Sequence, residues 1–269
     1  MPITLNNSPI VELIAEMRWD TPSQALPGPQ VPGAPTGIVT NQADCESFFM
    51  RFTGHAFALG FQQMERLAPH GFPIFSHQPV FRFRSNNTPG LLYQIGAGYF
   101  SVHATPPYRT WDDFSPIIRS GLEALIAARG ADENELPFPH IGLRYLDAFK
   151  EPLTRGRDIA SFMSEVLGIT LALPHGISKH IMLGNQYKPS LQLQIPMLGE
   201  KIMQIGIGEG MSNNEPAFIM DTTVTTTSAV QPDIDVIMNT LNASHAIIHE
   251  MFFEITAPIM ELMQPTEGA

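Results

Sequence analysis

Hydrophobic and polar positions alternate through residues 9–19. Val11, Leu13, Ala15, Met17 and Trp19 fall on one side, and Glu12, Ile14, Glu16 and Arg18 on the other. Side chains of a strand point to opposite faces in turn, so this pattern predicts a half-buried strand. The same alternation marks residues 79–85, where Phe81 and Phe83 oppose Arg82 and Arg84, and residues 140–149, where Leu143 and Tyr145 oppose Arg144. Residues 91–96 and 98–104 complete a strand cluster, with an Asn-Asn-Thr-Pro-Gly turn before the first of them. In the second half, residues 179–187, 190–197, 200–208 and 217–227 read as four successive strands, with a turn at Met197-Leu198-Gly199-Glu200.

Other segments follow a helical spacing. Residues 44–67 predict a phenylalanine-rich helix (Phe48, Phe49, Phe52, Phe57, Phe61) weakened by Gly54 and Gly60. Residues 110–130 predict a second, with Thr110 as cap, Asp112 and Asp113 suiting the positive end of its dipole, and Gly130 just past its end. Residues 157–168 predict a short helix, and residues 232–263 a long amphipathic one bending at Pro258. Residues 21–40 hold five prolines and three glycines and read as a long surface loop. The sum is an α+β protein, mostly antiparallel, with helices packed on sheet faces. It divides into an N-terminal module over 1–150 carrying the proline-rich loop and a C-terminal module over 151–269 ending in the long helix.

The two halves echo each other. Gln94-Ile95-Gly96-Ala97-Gly98 finds a counterpart in Gln204-Ile205-Gly206-Ile207-Gly208. A dinucleotide fingerprint would place such glycines between a strand and a helix, so that amides meet the pyrophosphate. Here Ser101 stands at the third glycine position of the first copy, and strand alternation continues past it. In the second copy Glu209 puts a carboxylate where phosphate would approach. Both copies therefore read as strands, and as a repeated αβ unit if the echo is structural. Glycine in a strand marks a bulge or the close approach of another backbone, which is the expectation at Gly96 and Gly206.

Composition narrows the function. Apolar residues make up 43% of the 269 and charged residues 15%, which supports a large core. The formal charge of −11 disfavours phosphate backbones and steers a basic protein partner. Cys45 is the only cysteine, which suits a reducing cytoplasm. The opening residues lack the basic and apolar regions of a signal peptide, and no stretch is long and apolar enough to span a membrane.

Catalytic signatures are scarce. His245 and His249 lie four apart on the last predicted helix, on one face, but Ala246 stands where the metalloprotease pattern needs glutamate. Packing within an interface explains them as well. No Gly-x-Ser-x-Gly elbow is present, and Cys45 has no local partner motif. No cofactor and no metal are expected. The most informative feature is a charged sheet face carrying Glu12, Glu16, Arg18, Arg82, Arg84 and Arg144 if these strands are neighbours. It reads either as a solvated lattice of cross-strand ion pairs or as a groove that recognises an anionic ligand or a partner's acidic residues. Glu12 and Glu16 would share that face as an acid/base pair, with Arg18 beside them.

Several stretches taken together resemble a sporadically distributed bacterial family with no assigned activity. They are Asn-x-Pro-Ile-Val-Glu at 7–12, Phe-Arg-Phe-Arg-Ser at 81–85, the Gln-Ile-Gly-x-Gly-x-x-Ser-Val run at 94–102, Pro-Tyr-x-x-Trp at 107–111, Gly-Leu-Arg-Tyr at 142–145, and the closing stretch His249 to Thr256. The resemblance covers nearly the whole chain and carries over no catalytic residue; loop 21–40 is longer than it implies. Scattered occurrence implies an accessory gene, such as a defence, toxin-neutralising or regulatory component. The leading expectation is a non-enzymatic protein that recognises a protein partner. The alternatives are a small-molecule-binding domain with a sheet-and-helix cavity, and an enzyme of unrecognised type. Oligomeric state is not legible.

Overall fold

The computed structural model describes residues 3–21, 23–25, 37–107, 110–130, 133–181 and 187–267. The first half forms β1 (Ile3–Leu5), β2 (Ile10–Arg18), β3 (Ser23–Ala25), β4 (Gly37–Val39), α1 (Gln42–Ala58), β5 (Gln63–Arg66), β6 (Phe81–Arg84), β7 (Leu91–Gly96), β8 (Tyr99–Ala104) and α2 (Trp111–Ala128). The second forms β9 (His140–Phe149), α3 (Ile159–Glu165), α4 (His175–Ser178), β10 (Leu191–Met197), β11 (Lys201–Ser212), β12 (Glu215–Thr226), α5 (Ile234–Ile255), a 3-10 helix (Ala257–Met263) and β13 (Pro265–Glu267). Nine strands join in one sheet of order β10-β11-β12-β9-β2-β8-β7-β6-β5, every neighbouring pair antiparallel. The α+β architecture is thus the expected one.

Alternation decides which side of the sheet the helices take. Leu13, Ala15, Met17 and Trp19 of the β2 segment, Phe83, Tyr93, Phe100, Leu143 and Val224 are all buried on one face. Onto this face Phe52 of α1 packs against Phe83, Tyr93 and Phe100, with ring centroids 5.5–6.2 Å apart. α2 and α5 cover β8, β9 and β12 beside it. Thr110 caps α2 by accepting from the Asp113 amide, as its sequence predicts. Asn7 ties the start of β2 to the chain's other end by donating to the Leu262 carbonyl at 3.0 Å, while its own amide bonds the Met263 carbonyl.

The repeat is real in register. Gln94 pairs with Ser101 and Ser101 with Glu16; Gln204 pairs with Thr223 and Thr223 with Arg144. Aligning the two glutamines therefore carries Glu16 onto Arg144. The same offsets carry Leu91, the start of β7, onto Lys201, the start of β11, and Ala104, the end of β8, onto Thr226, the end of β12. These coincidences of strand ends are independent of the glutamine match. The implied two-fold axis passes through the paired residues Ala15 and Leu143, at the centre of the sheet.

Several expectations need correction. β9 does not close a first module: it pairs with β12 on one side and β2 on the other, so the sheet runs unbroken across the expected boundary between 1–150 and 151–269. The repeated units instead run from β2 through α2 and from β9 through α5. α1 stops at Ala58, where Gly60 takes a left-handed φ of 87° that ends the helix, and β5 follows. Within the proline-rich segment, Ser23–Ala25 and Gly37–Val39 pair as a short hairpin, while 26–36 lie outside the described residues. Of the strand expected at 179–187, residues 179–181 continue the turn after α4, and 182–186 lie outside the described residues. The last helix breaks at Thr256, just before Pro258, and continues as the 3-10 turn.

Candidate functional site

On the face away from the helices, the sheet assembles the charged residues. β2 supplies Glu12, Glu16 and Arg18; β9 supplies His140 and Arg144; β8, on the other side of β2, supplies Tyr99, Ser101 and His103. Each of these sets has one parity along its strand, so the pleat alone places it. Among the described residues no α-helix packs there. Nine strands at about 4.8 Å spacing make this face roughly 40 Å wide.

Its centre holds two polar clusters side by side, Glu12–His103–Ser101 and Arg18–Glu16–His140. His103 Nδ1 lies 2.7 Å from the Glu12 carboxylate, and its Nε2 lies 2.8 Å from Ser101 Oγ. The Tyr99 hydroxyl lies close to Ser101 and Glu16. Glu16 accepts from Arg18 Nε at 2.6 Å and faces His140 Nε2 at 3.3 Å. The His103 hydrogen bond holds the Glu12 carboxyl below its usual range, outweighing its partial burial. Burial pushes Glu16 upward, but His140 and Arg18 overcome it and hold that carboxyl at about 2. Burial, reinforced by Glu16, raises Tyr99. Both glutamates are therefore anions that accept hydrogen bonds, and neither is poised to donate a proton near neutral pH.

Arg144 extends the lattice to β12, gripping Asp221 with two bonds of 2.7 and 2.5 Å. That fork raises the guanidinium's already high affinity for its proton. Arg82 stands three strands from β2, on β6. It pairs with Glu65 of β5 at 3.2 Å, and with the Gln94 amide oxygen turned toward it, Gln94 accepts from its Nε and Nη2 at 3.2 Å. Arg84 lies at the end of the same strand, exposed, with no ion-pair partner among the described residues. Thus Glu12, Glu16, Arg18 and Arg144 meet at the centre, Arg82 is held off to one side by Glu65 and Gln94, and Arg84 stays apart. Sequence reasoning missed Gln94, Tyr99, Ser101, His103, His140 and Asp221. Most lie on strands already recognised, and their parity was the signal.

The order Ser101–His103–Glu12 has the distances of a nucleophile, base and orienting acid. Accessibility opposes that chemistry: Ser101 is 0% exposed, and its strand pairs with β2 and β7 on its two sides. Its neighbouring amides are held in those ladders and do not converge as oxyanion donors. The chain serves as a buried polar network.

The histidines of α5 have a packing role. His245 stacks on Trp111 at 4.5 Å and receives its polar contact from the Tyr145 hydroxyl, 2.7 Å from Nδ1. Burial, with His249 adding to it, lowers His245 to about 4, so it is neutral. Among the described residues, no group of three or more His, Cys, Asp or Glu side chains is placed to hold a metal ion. Cys45 is half-buried in α1. A cavity of about 350 Å³ lies between the β6–β7 turn and the start of α2, lined by Pro89, Leu91, Pro107, Phe114 and Ile117. That is at the low end for a ligand site, and Asp113 on its rim is engaged in capping α2.

The two glycine expectations diverge. A Cβ at Gly96 would overlap the Gln78 carbonyl oxygen, so this strand position does need glycine. At Gly206 the nearest atom to such a Cβ would be the Asp221 Cβ at 3.8 Å, an ordinary contact. The close approach exists in the first copy alone, because among the described residues no backbone crosses the equivalent spot of the second. No helix among the described residues is long and apolar enough to cross a membrane. No family model, no curated protein and no solved structure matches the chain.

Proposed function

We propose that this protein is a non-enzymatic recognition module that docks a protein partner on the helix-free face of its sheet. The observation that carries the reading is the set of partly exposed charges on the helix-free face, where Arg84 and the Arg82–Glu65 and Arg144–Asp221 pairs flank a buried polar network. Side chains already fixed by one another lose little rotamer freedom when a partner docks. Arginines held this way have the character of interface anchors, and Arg84 offers an open guanidinium beside them. The net charge of −11 steers a partner of net positive charge, which presents a carboxylate or carbonyl to Arg84 at close range. The single cysteine supports work in a reducing cytoplasm, and the scattered occurrence of the resembling family supports a role as an immunity or defence-associated accessory factor.

The test is affinity purification from native cells with wild type, Arg84→Glu and the Arg82→Ala/Arg84→Ala double variant, with melting curves on each. A protein captured by wild type should bind the variants roughly 30-fold more weakly, about 2 kcal/mol, with melting temperatures unchanged. Undiminished capture by the double variant would end the reading. The Ser101–His103–Glu12 geometry favours a second reading, a serine hydrolase. A fluorophosphonate label that is stoichiometric on wild type and lost in Ser101→Ala would replace the first reading with the second.

A further inference from the structure

The two-fold repeat exposes a place where the second unit is incomplete. In the first unit the outer edge of β6 is covered by β5, with Gln63–Arg66 pairing antiparallel to Arg84–Phe81. The repeat carries Arg82 onto Gln194, Phe83 onto Ile195 and Phe81 onto Leu193, because Gln94 pairs with Arg82 as Gln204 pairs with Gln194. Among the described residues, no strand occupies the edge of β10 that corresponds to β5. Exposure differs as well: Phe83, packed under Phe52 of α1, is 0% exposed, whereas its counterpart Ile195 is 38% exposed. Leu198, at the adjoining turn, is 95% exposed.

We infer that the outer edge of β10 accepts an extended segment of a partner protein, antiparallel to Leu191–Ile195, in the place that β5 takes in the first unit. The internal counterpart specifies what fits. Met64 lies opposite Phe83 on the helix side, so the residue opposite Ile195 is apolar. Glu65 lies opposite Arg82 and bonds it at 3.2 Å. Gln194 replaces that arginine, so its opposite residue is an amide or hydroxyl that exchanges hydrogen bonds with it, not a carboxylate. Pro196 has no amide hydrogen and ends the pairing toward the Met197 turn. The chain's charge of −11 disfavours both an acidic strand and a second copy of itself, and so selects a neutral or basic segment. This surface is separate from the helix-free face, and the inference stands whether or not that face binds a partner.

The probe is a synthetic peptide copying residues 60–69 with Glu65→Gln, titrated to millimolar concentration and read by amide hydrogen exchange. Alternate amides of 191–195 should exchange freely in the protein alone and slow at least tenfold with peptide. The same peptide with glutamate retained should bind several-fold more weakly. Gln194→Lys, a substitution that edge strands tolerate, should keep the melting temperature and lose the protection. Three results would overturn the inference: full protection of those amides in the free protein at every concentration, protection that rises with protein concentration as a dimer forms, or no protection by peptide at millimolar levels.

Discussion

Replacing Asp147 with asparagine should stabilise the protein, and increasingly so as pH rises. Asp147 lies towards the end of β9, 3% exposed, paired in register with Ile10 and Met220. No described residue donates a hydrogen bond to its carboxylate. Burial, with the charge of Asp221 adding to it, raises its pKa from 3.8 to about 7. A folded-state value above the unfolded one means the native protein holds the proton more tightly. Below the unfolded value both states are protonated and no penalty arises; stability is then lost as pH climbs from about 4 through about 7. A shift of roughly three units corresponds to about 4 kcal/mol once both states are ionised, at about 1.4 kcal/mol per unit. Asparagine at this position would keep the shape and the burial but remove the titration. Between pH 5 and pH 8.5 the gap in unfolding free energy between Asp147→Asn and wild type should widen by about 3 kcal/mol, in the variant's favour. Urea denaturation at those two pH values measures it, since every other group titrates alike in both proteins and cancels in the difference. A gap that stays constant within about 0.5 kcal/mol would show that Asp147 ionises normally in the folded state, and the account of its burial would fail.

Three further outcomes follow from the geometry. Gly96→Val should cost more than about 3 kcal/mol in folding, since a Cβ there overlaps the Gln78 carbonyl, whereas Gly206→Val should change stability by less than about 1 kcal/mol; thermal melts of both decide it. Glu16→Gln should lose up to about 3 kcal/mol at pH 7, because a folded value of about 2 against an ordinary 4.5 gives stability that is present above 4.5 and fades as pH falls toward 2; the deficit measured by denaturation should shrink between pH 5 and pH 3. Arg144→Ala should cost about 1 kcal/mol, since its side chain is 45% exposed and solvent screens the fork to Asp221; a loss above about 3 kcal/mol in chemical denaturation would mark it instead as a buried structural pair.

Much of the fold was legible because most strands carry a clean alternation. β2, β6, β7, β8 and β9 were readable within a residue or two, and Thr110 announced the start of α2. β5 was not: its four residues, Gln-Met-Glu-Arg, are helix formers that continue the α1 pattern, and only the edge of β6 makes them a strand. The charged half of the site was legible for the same reason as the strands. The neutral half was not. Ser101, Tyr99 and Gln94 carry no charge to mark them, and their partnership depends on which strands become neighbours, which is set by pairing between segments as far apart as β2 and β8. Asp147 was hidden too, as a polar residue on an apolar face that alternation alone assigns to the core.

The two-fold axis through Ala15 and Leu143 has a bearing on orientation. A platform with true two-fold symmetry would offer an asymmetric partner two equivalent poses, half a turn apart, and so would hold it in neither uniquely. Here the axis relates Glu16 to Arg144 and Glu12 to His140, so each related pair sets a carboxylate against a basic side chain. If the proposed docking holds, turning the partner end for end would bring the group meant for Arg144 against Glu16. Divergence at these few positions converts a degenerate surface into a directional one without altering the backbone that the repeat laid down.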